Sequence, residues 1–261
     1  MRLATWNVNS VLARLPRLVE WLEQVQPDVV CLQETKCDVE AFPYDAVKPL
    51  GYEAAVHGVG RWNGVAVLSR VGLSDVVRGL IDEPGFPAPE PRALGATCGG
   101  LRVWSVYVPN GREPGHDHYT YKLAWLRALA ETLAAESPGG TPFAVCGDFN
   151  VAPTDDDVWD PHVFRFSTHV TPAERDALAA LRALGLTDVV PRPLKYDRPY
   201  TYWDYRAGMF HKNMGMRIDL VYASEPLARA VTDSYVDREA RKGKGPSDHA
   251  PVVVDVDLQG P

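Results

Sequence analysis

No C-x-x-C pair occurs in the chain, and its four cysteines, at 31, 37, 98 and 146, are scattered. That spacing argues against a structural zinc site. Cys31 and Cys146 stand in apolar runs and read as buried free thiols, which points to a reducing compartment. No apolar run is long enough to cross a bilayer, and the opening MRLATWNVNS lacks the apolar core of a signal peptide. The expectation is a cytoplasmic protein with no membrane partner. Gly/Ser-rich linkers, internal repeats and low-complexity tracts are all missing, so nothing marks a domain boundary. Positive charge is in deficit, with a formal net charge of −7. A protein that coats nucleic acid without selectivity would be basic. A nuclease is still allowed, because an acidic metal site and a basic rim can coexist. Disorder is excluded by an apolar content of 46%.

What is present is an alternation of short apolar runs and helical patterns. RLATWN (2–7), PDVVCLQE (27–34), NGVAVLS (63–69), LRVWSVYVP (101–109), PFAVCGD (142–148), RIDLVYAS (217–224) and PVVVDVDL (251–258) read as strands. Residues 14–26 read as a helix, with Leu15, Leu18, Val19, Leu22 and Val25 on one stripe. Residues 121–136 read as a second helix. Residues 171–185 read as a third, opened by a Thr171–Glu174 capping box with Pro172 at its first position and closed by Gly185. The proline-rich 81–95 reads as a surface loop. A single α/β domain over 1–261 is expected, with two packed sheets and helices outside.

The stretch AVCGDFNVAP (144–153) poses the functional question. An apolar strand ends by presenting Asp148 and Asn150. Along a strand the two would share a face, but Gly, Asp and Asn are also common turn residues. Other strand ends carry similar groups: Asn7, Glu34, Tyr107, Asn110, and Asp248 with His249 just before the last strand. Taken singly, each has an ordinary reading as a turn, a cap or a core residue. Asp219 is different, since a carboxylate between Ile218 and Leu220 needs a partner or water. Strands of one sheet bring distant ends to one rim, where loops carry function. Together these groups would form an oxygen-rich site suited to Mg2+ or Mn2+ rather than zinc, with Glu34 the best ligand candidate. The chemistry that fits is phosphodiester hydrolysis, with His249 oriented by Asp219.

ATWNVNS, PDVVCLQETK, YVPNG, GDFNVAPTDDDV, RIDLVYAS and PSDHAPV together resemble the exonuclease III family of abasic-site DNA repair nucleases. They do so in that family's order, from residue 1 to about 257. The wider superfamily, with deoxyribonuclease I and inositol-phosphate phosphatases, shares only the Glu, GDxN and SDH parts. The resemblance implies a four-layer α/β sandwich of two packed mixed sheets with helices outside. It implies that Glu34, with Asn7 and Asp248, binds the divalent metal. It also implies that Asp148 orients or activates water, that Asn150 helps hold the phosphate, that His249 held by Asp219 contacts the phosphate, and that Tyr107 lies near the leaving oxygen. The implied partner is double-stranded DNA with an abasic site or a blocked 3′ end, handled by a monomer. The rivals are a superfamily enzyme acting on a lipid or inositol phosphate, and a DNA-binding relative without catalysis.

DNA contacts are expected elsewhere. Lys195 to Arg206 carries five aromatics in ten positions, and the resemblance supports Tyr202 or Trp203 as a pocket wall. Met209 and Phe210, beside Lys212, read as a wedge at a loop tip, with packing under the loop as the other reading. Arg241, Lys242 and Lys244 read as phosphate contacts, as does the loop 111–122, with Asn110 just before it as a further substrate contact. His116 and His118 in that loop look like a metal pair only superficially. His169 stands where many family members carry a smaller residue. There it would narrow the space near a lesion, with an ordinary surface histidine as the other reading.

Overall fold

The computed structural model describes residues 1–136 and 140–258. Twelve strands form two six-stranded mixed sheets. In chain order the strands are β1 (Arg2–Asn7), β2 (Val29–Gln33), β3 (Glu53–Val59), β4 (Trp62–Ser69), β5 (Ser74–Arg78), β6 (Ala93–Cys98), β7 (Leu101–Tyr107), β8 (Phe143–Asp148), β9 (Thr187–Asp188), β10 (Asp219–Ala223), β11 (Val231–Val236) and β12 (Val252–Val256). The helices are α1 (Leu15–Val25), α2 (Tyr44–Val47), α3 (Asp117–Ala135), α4 (Pro161–Phe164), α5 (Pro172–Ala183) and α6 (Glu225–Ala230).

One sheet runs β11-β12-β1-β2-β4-β3 and the other β5-β6-β7-β8-β10-β9. The central core lies between them, built from Leu3, Val29, Cys31 and Val67 on one side and Val103, Ala144, Cys146 and Val221 on the other. The outer face of the first sheet packs on α1 through Trp6, Leu18 and Leu22. The outer face of the second packs on α3 and α5 through Trp104, Trp125, Leu129 and Leu178. The order is helix, sheet, sheet, helix, as expected. The strands β2 and β8 are buried at every position because both faces of each sheet are covered. That is why they read as unbroken apolar runs.

Each sheet contains one parallel pair, β1 with β2 and β7 with β8. These pairs send their carboxyl ends to the same edge of the sandwich. Register then aligns the functional groups. Asp148 is opposite Tyr107 on one side and opposite Asp219 on the other. Gly147, at φ 154, is required beside them, since a Cβ there would lie 1.9 Å from the Val106 carbonyl oxygen.

The α3 helix starts at Asp117, four residues ahead of its expected start. His116 is its N-cap, and its ring accepts from the His118 amide. That contact accounts for the histidine pair without a metal. The capping box of α5 forms as expected, with Thr171 and Glu174 exchanging hydrogen bonds.

Candidate active site

A cavity of about 170 Å3 opens where the parallel pairs end. Glu34, Tyr107, Asn110, Asp148, Asn150, Asp248 and His249 line it. His169, Tyr202, Met216 and Ile218 complete the wall.

The turn after β8 resolves the question posed by Asp148 and Asn150. The strand ends at Asp148, and Asn150 adopts a left-handed φ of 50. The Asn150 amide donates to Asp148 Oδ1 at 2.9 Å. The stretch is therefore a turn, and it brings Asp148 and Asn150 to the wall of the cavity. The two side chains converge through the turn and not through strand alternation. Asn150 Nδ2 donates to the Val108 carbonyl, and Asn110 Nδ2 donates to Asn150 Oδ1.

The charged centre is nearly dry. His249 Nδ1 lies 2.7 Å from Asp219 Oδ2, and its Nε2 lies 3.7 Å from Asp148 Oδ2. Burial would lower the His249 pKa, but Asp219 and Asp148 outweigh it and push the imidazole up to about 10. Burial raises the Asp148 carboxyl to about 7; His249 opposes this, while Asp219 and Glu34 add to it. Burial would also raise Glu34, but Lys36 outweighs it and holds the carboxyl below its usual range. Burial lifts the Tyr107 phenol well above its ordinary value, and nearby Glu34 adds to the shift.

Asn7 bridges the two sheets, its Nδ2 donating to Glu34 Oε1 and to Asp148 Oδ2, both at 2.9 Å. Its Oδ1 accepts from the Asn9 amide. The side chain expected as a metal ligand is thus turned to hold two carboxylates, with its oxygen committed elsewhere. Three ligand atoms, from Glu34, Asp148 and His249, lie within 4.8 Å of one another. Of these, His249 already bonds Asp219 through Nδ1. Asp248 Oδ1 accepts from Asn9 Nδ2. The remaining donors are hard oxygens, which fit magnesium or manganese and not zinc. Asp219 Oδ1 is buried without a partner among the described residues.

Lys36 and Lys122 were not singled out in the sequence, and Glu174 only as a helix cap. Lys36 Nζ lies 2.7 Å from Glu34 Oε2 and 2.6 Å from Asn9 Oδ1. Beneath the cavity, Lys122 and Glu174 form a fully buried ion pair. Lys122 Nζ also donates to the carbonyls of Asn110 and Asn150. The signal for Lys122 was available: it shares the buried stripe of α3 with Trp125, Leu126 and Leu129. Backbone strain marks the same region. Asn9, Glu34, Lys36, Asn150 and His169 all have positive φ, between 46 and 82.

His169 lies in the site. Its Nδ1 donates to the Asn150 carbonyl at 2.5 Å, and its amide donates to Glu174 Oε1. Burial, aided by the Lys122 ammonium, lowers its pKa to about 4, so the ring is neutral.

The expected DNA contacts divide. Tyr202 faces the cavity, its ring 5.0 Å from that of His249. Trp203 is 1% exposed and belongs to the central core, and it does not line this cavity. Phe210 is buried against Trp203 and the Arg238 guanidinium, so it anchors the loop from below and is no wedge. Met209 is half-buried beside a second chamber of about 330 Å3 that also touches His169 and Tyr202. Arg241 is buried, stacks on Tyr205 and Phe210, and donates to the Trp203 carbonyl. It holds the loop and does not face a phosphate. Lys242 is exposed but paired with Glu239. Lys212 and Lys244 are exposed.

Comparison with known proteins agrees with this geometry. A profile described as "Endonuclease/Exonuclease/phosphatase family" matches residues 4–249. The exodeoxyribonuclease III of Haemophilus influenzae is 31% identical, the alignment covering 97% of this chain and 98% of that protein. Among solved structures, a 3′ phosphatase from Neisseria bound to a product DNA hairpin superposes with a TM-score of 0.93. It is 38% identical, with 98% of this chain and 99% of that one covered. An AP endonuclease from Archaeoglobus fulgidus gives a TM-score of 0.92 at 35% identity, with the same coverage. Among the described residues, no helix is long and apolar enough to cross a membrane.

Proposed function

Because the chain belongs to the endonuclease/exonuclease/phosphatase family, in its exonuclease III branch, we propose that it is a divalent-metal-dependent DNA repair phosphodiesterase. Its substrates are double-stranded DNA carrying an abasic site, incised on the 5′ side, and blocked 3′ ends, and it acts as a monomer. The observation that carries this reading is the convergence of Glu34, Tyr107, Asp148, Asn150 and His249 on one cavity of about 170 Å3.

The chemistry follows from these positions. Asp148 sits near the pKa at which a general base works at neutral pH, and it takes the proton of the attacking water. Asn7 fixes the orientation of its Oδ2. Asp219 keeps His249 charged, so the imidazolium donates to a phosphoryl oxygen and offsets charge as it builds. Asn150 and Asn110 offer amides to the same group. Glu34, with Asp248 beside it and Asn7 orienting its Oε1, would hold a magnesium or manganese ion, which when bound polarises a phosphoryl oxygen. Tyr107 stays protonated and faces the leaving oxygen as a donor.

A narrower reading is favoured by His169. Its neutral ring is pinned between Asn150 and the wall of the second chamber, where it takes up room beside the scissile group. Terminal 3′ groups then enter more readily than an internal abasic sugar.

One experiment tests both readings. Cleavage is followed on a labelled duplex with an abasic analogue and on a duplex with a 3′-phosphate, with magnesium and with chelator, for the parent, Glu34→Ala and His169→Gly. Magnesium-dependent cleavage of either substrate, lost in Glu34→Ala, is expected. Folded parent protein without either activity overturns the assignment. The ratio of abasic to 3′-phosphate cleavage is expected to rise in His169→Gly, and an unchanged ratio refutes the narrower reading.

A further inference from the structure

A third, smaller cleft shares no lining residue with the reaction cavity. Tyr202 lines the reaction cavity, while its neighbour Trp203 lines this other space of about 130 Å3. Its walls are aromatic, with Tyr196 and Tyr235 beside Trp203. Four cations reach it, and two of them are already matched: Arg192 is paired with Asp233, and Arg198 with Asp156. Of the two acids at the rim, Glu239 is paired with Lys242, and Asp237 accepts from Trp21 Nε1.

Lys195 and Arg238 are different. Neither has a carboxylate ion pair among the described residues. The Arg238 guanidinium carbon lies 4.7, 5.2 and 3.9 Å from the ring centroids of Tyr196, Trp203 and Phe210. It donates to the Phe210 carbonyl at 2.6 Å, but its Nε is buried with no partner. A packing role under the loop accounts for its contact with Phe210. It does not account for its lack of a carboxylate partner among the described residues, or for exposed Lys195 standing 5.4 Å over the Tyr196 ring. Two cations without carboxylates beside an open aromatic wall are matched by an anion that carries a flat ring.

Size narrows the ligand. Sites for whole small molecules run to about 300 Å3 and more, so this cleft admits one base or one phosphate of something longer that stays in solvent. Base stacking on tyrosine beside a cationic track is how single strands are held without sequence preference. We propose that this cleft binds one unpaired nucleotide of a single-stranded tail on the substrate DNA, its phosphate on Arg238 and Lys195 and its base against Tyr196. The proposal rests on the DNA phosphodiesterase reading above. It gives the enzyme a hold on frayed or tailed DNA separate from the reaction centre.

The test is binding by fluorescence anisotropy, with chelator present so that nothing is cut. Two labelled duplexes are compared, one blunt and one with an oligothymidylate tail. The tail is expected to tighten binding to the parent about ten-fold, the scale of one stacked base. Tyr196→Ala and Lys195→Glu, both on the surface, are expected to erase that advantage while leaving blunt-duplex binding and 3′-phosphate hydrolysis unchanged. Lys195→Glu also makes the salt dependence of tail binding shallower, by about 0.7 in log–log slope for each phosphate that is no longer neutralised. Arg238→Gln is expected to act likewise, and if it unfolds, the two surface variants still decide. A parent with no tail advantage, or an advantage that survives Tyr196→Ala and Lys195→Glu, overturns the proposal. Failure of the DNA phosphodiesterase reading would show separately, as no metal-dependent cleavage of either duplex.

Discussion

Two buried clusters of charge lie within one loop of each other, and they are built on opposite terms. Beneath the site, Lys122 and Glu174 are fully buried and fully used. The ammonium has four acceptors for three protons. Glu174 Oε1 also accepts from Thr168 Oγ1 and the His169 amide, while Oε2 accepts from Thr171. In the reaction centre above, Asp148, Asp219 and Glu34 crowd one imidazole, Asp219 Oδ1 has no partner, and Asp148 is lifted to about 7. A satisfied pair needs nothing more and acts as framework. A cluster left short of partners stores unfavourable energy that a substrate and a cation can relieve. Burial is common to both, and the accounting of hydrogen bonds separates structure from chemistry.

The comparison breaks first at Asp148. Asp148→Asn removes one of the crowded carboxylates and keeps the shape. It is expected to lower kcat on a 3′-phosphate duplex by roughly a thousand-fold, within the span seen for loss of a general base. Thermal unfolding should show Tm unchanged or raised, because a repulsive charge has gone. A fall in Tm of the same order as for a core mutation would mean that Asp148 is framework after all.

The lower pair is expected to respond in the reverse sense. Lys122→Met leaves Glu174 buried and unpaired, and about 3–5 kcal/mol of stability should be lost in urea unfolding. Lys122→Met with Glu174→Gln keeps the volume and the capping contacts and removes both charges. Most of the loss should return in this double variant. If the double variant is as unstable as the single one, the pair is not self-contained and the contrast with the site above it fails.

The same contrast explains what could be read in the sequence. Strand ends that carry Asn7, Asp148 and Asp219 were legible because polar groups stand out where a buried apolar run stops. The four-layer fold was legible for the same reason, since β2 and β8 are buried throughout and apolar until their last residues. Edge strands were not. β5 is exposed at most positions and β11 carries Thr, Asp and Ser, while β6, an inner strand, was missed because it begins inside the proline-rich stretch read as loop. The aromatic loop was legible only in part. Tyr202 and Trp203 are neighbours of similar character, and which one faces the cavity is set by Phe210 and Arg238 packing from a distance in the chain. Lys122 was legible in principle, as a lysine on an apolar helical stripe, but its partner lies 52 residues away.

His169 belongs to both clusters, and a pH titration sharpens where it stands. Its amide bonds Glu174, while its ring reaches the Asn150 carbonyl in the site. Burial first, and then the Lys122 ammonium, lowers its pKa from the ordinary 6.5 to about 4. The unfolded chain therefore takes up this proton before the folded protein does. Above pH 6.5 its contribution to stability is complete, and it is lost as pH falls from there through about 4. The loss should be on the order of 3 kcal/mol. His169→Gly removes the titrating group, and glycine accepts the φ of 82 without strain. The difference in unfolding free energy between parent and variant should thus move in favour of the variant as pH is lowered across that window, with the other acid-sensitive carboxylates common to both. A difference that stays flat with pH would show that the ring is solvated in the folded protein. It would then be no part of either cluster, and the space it takes from the substrate would be open.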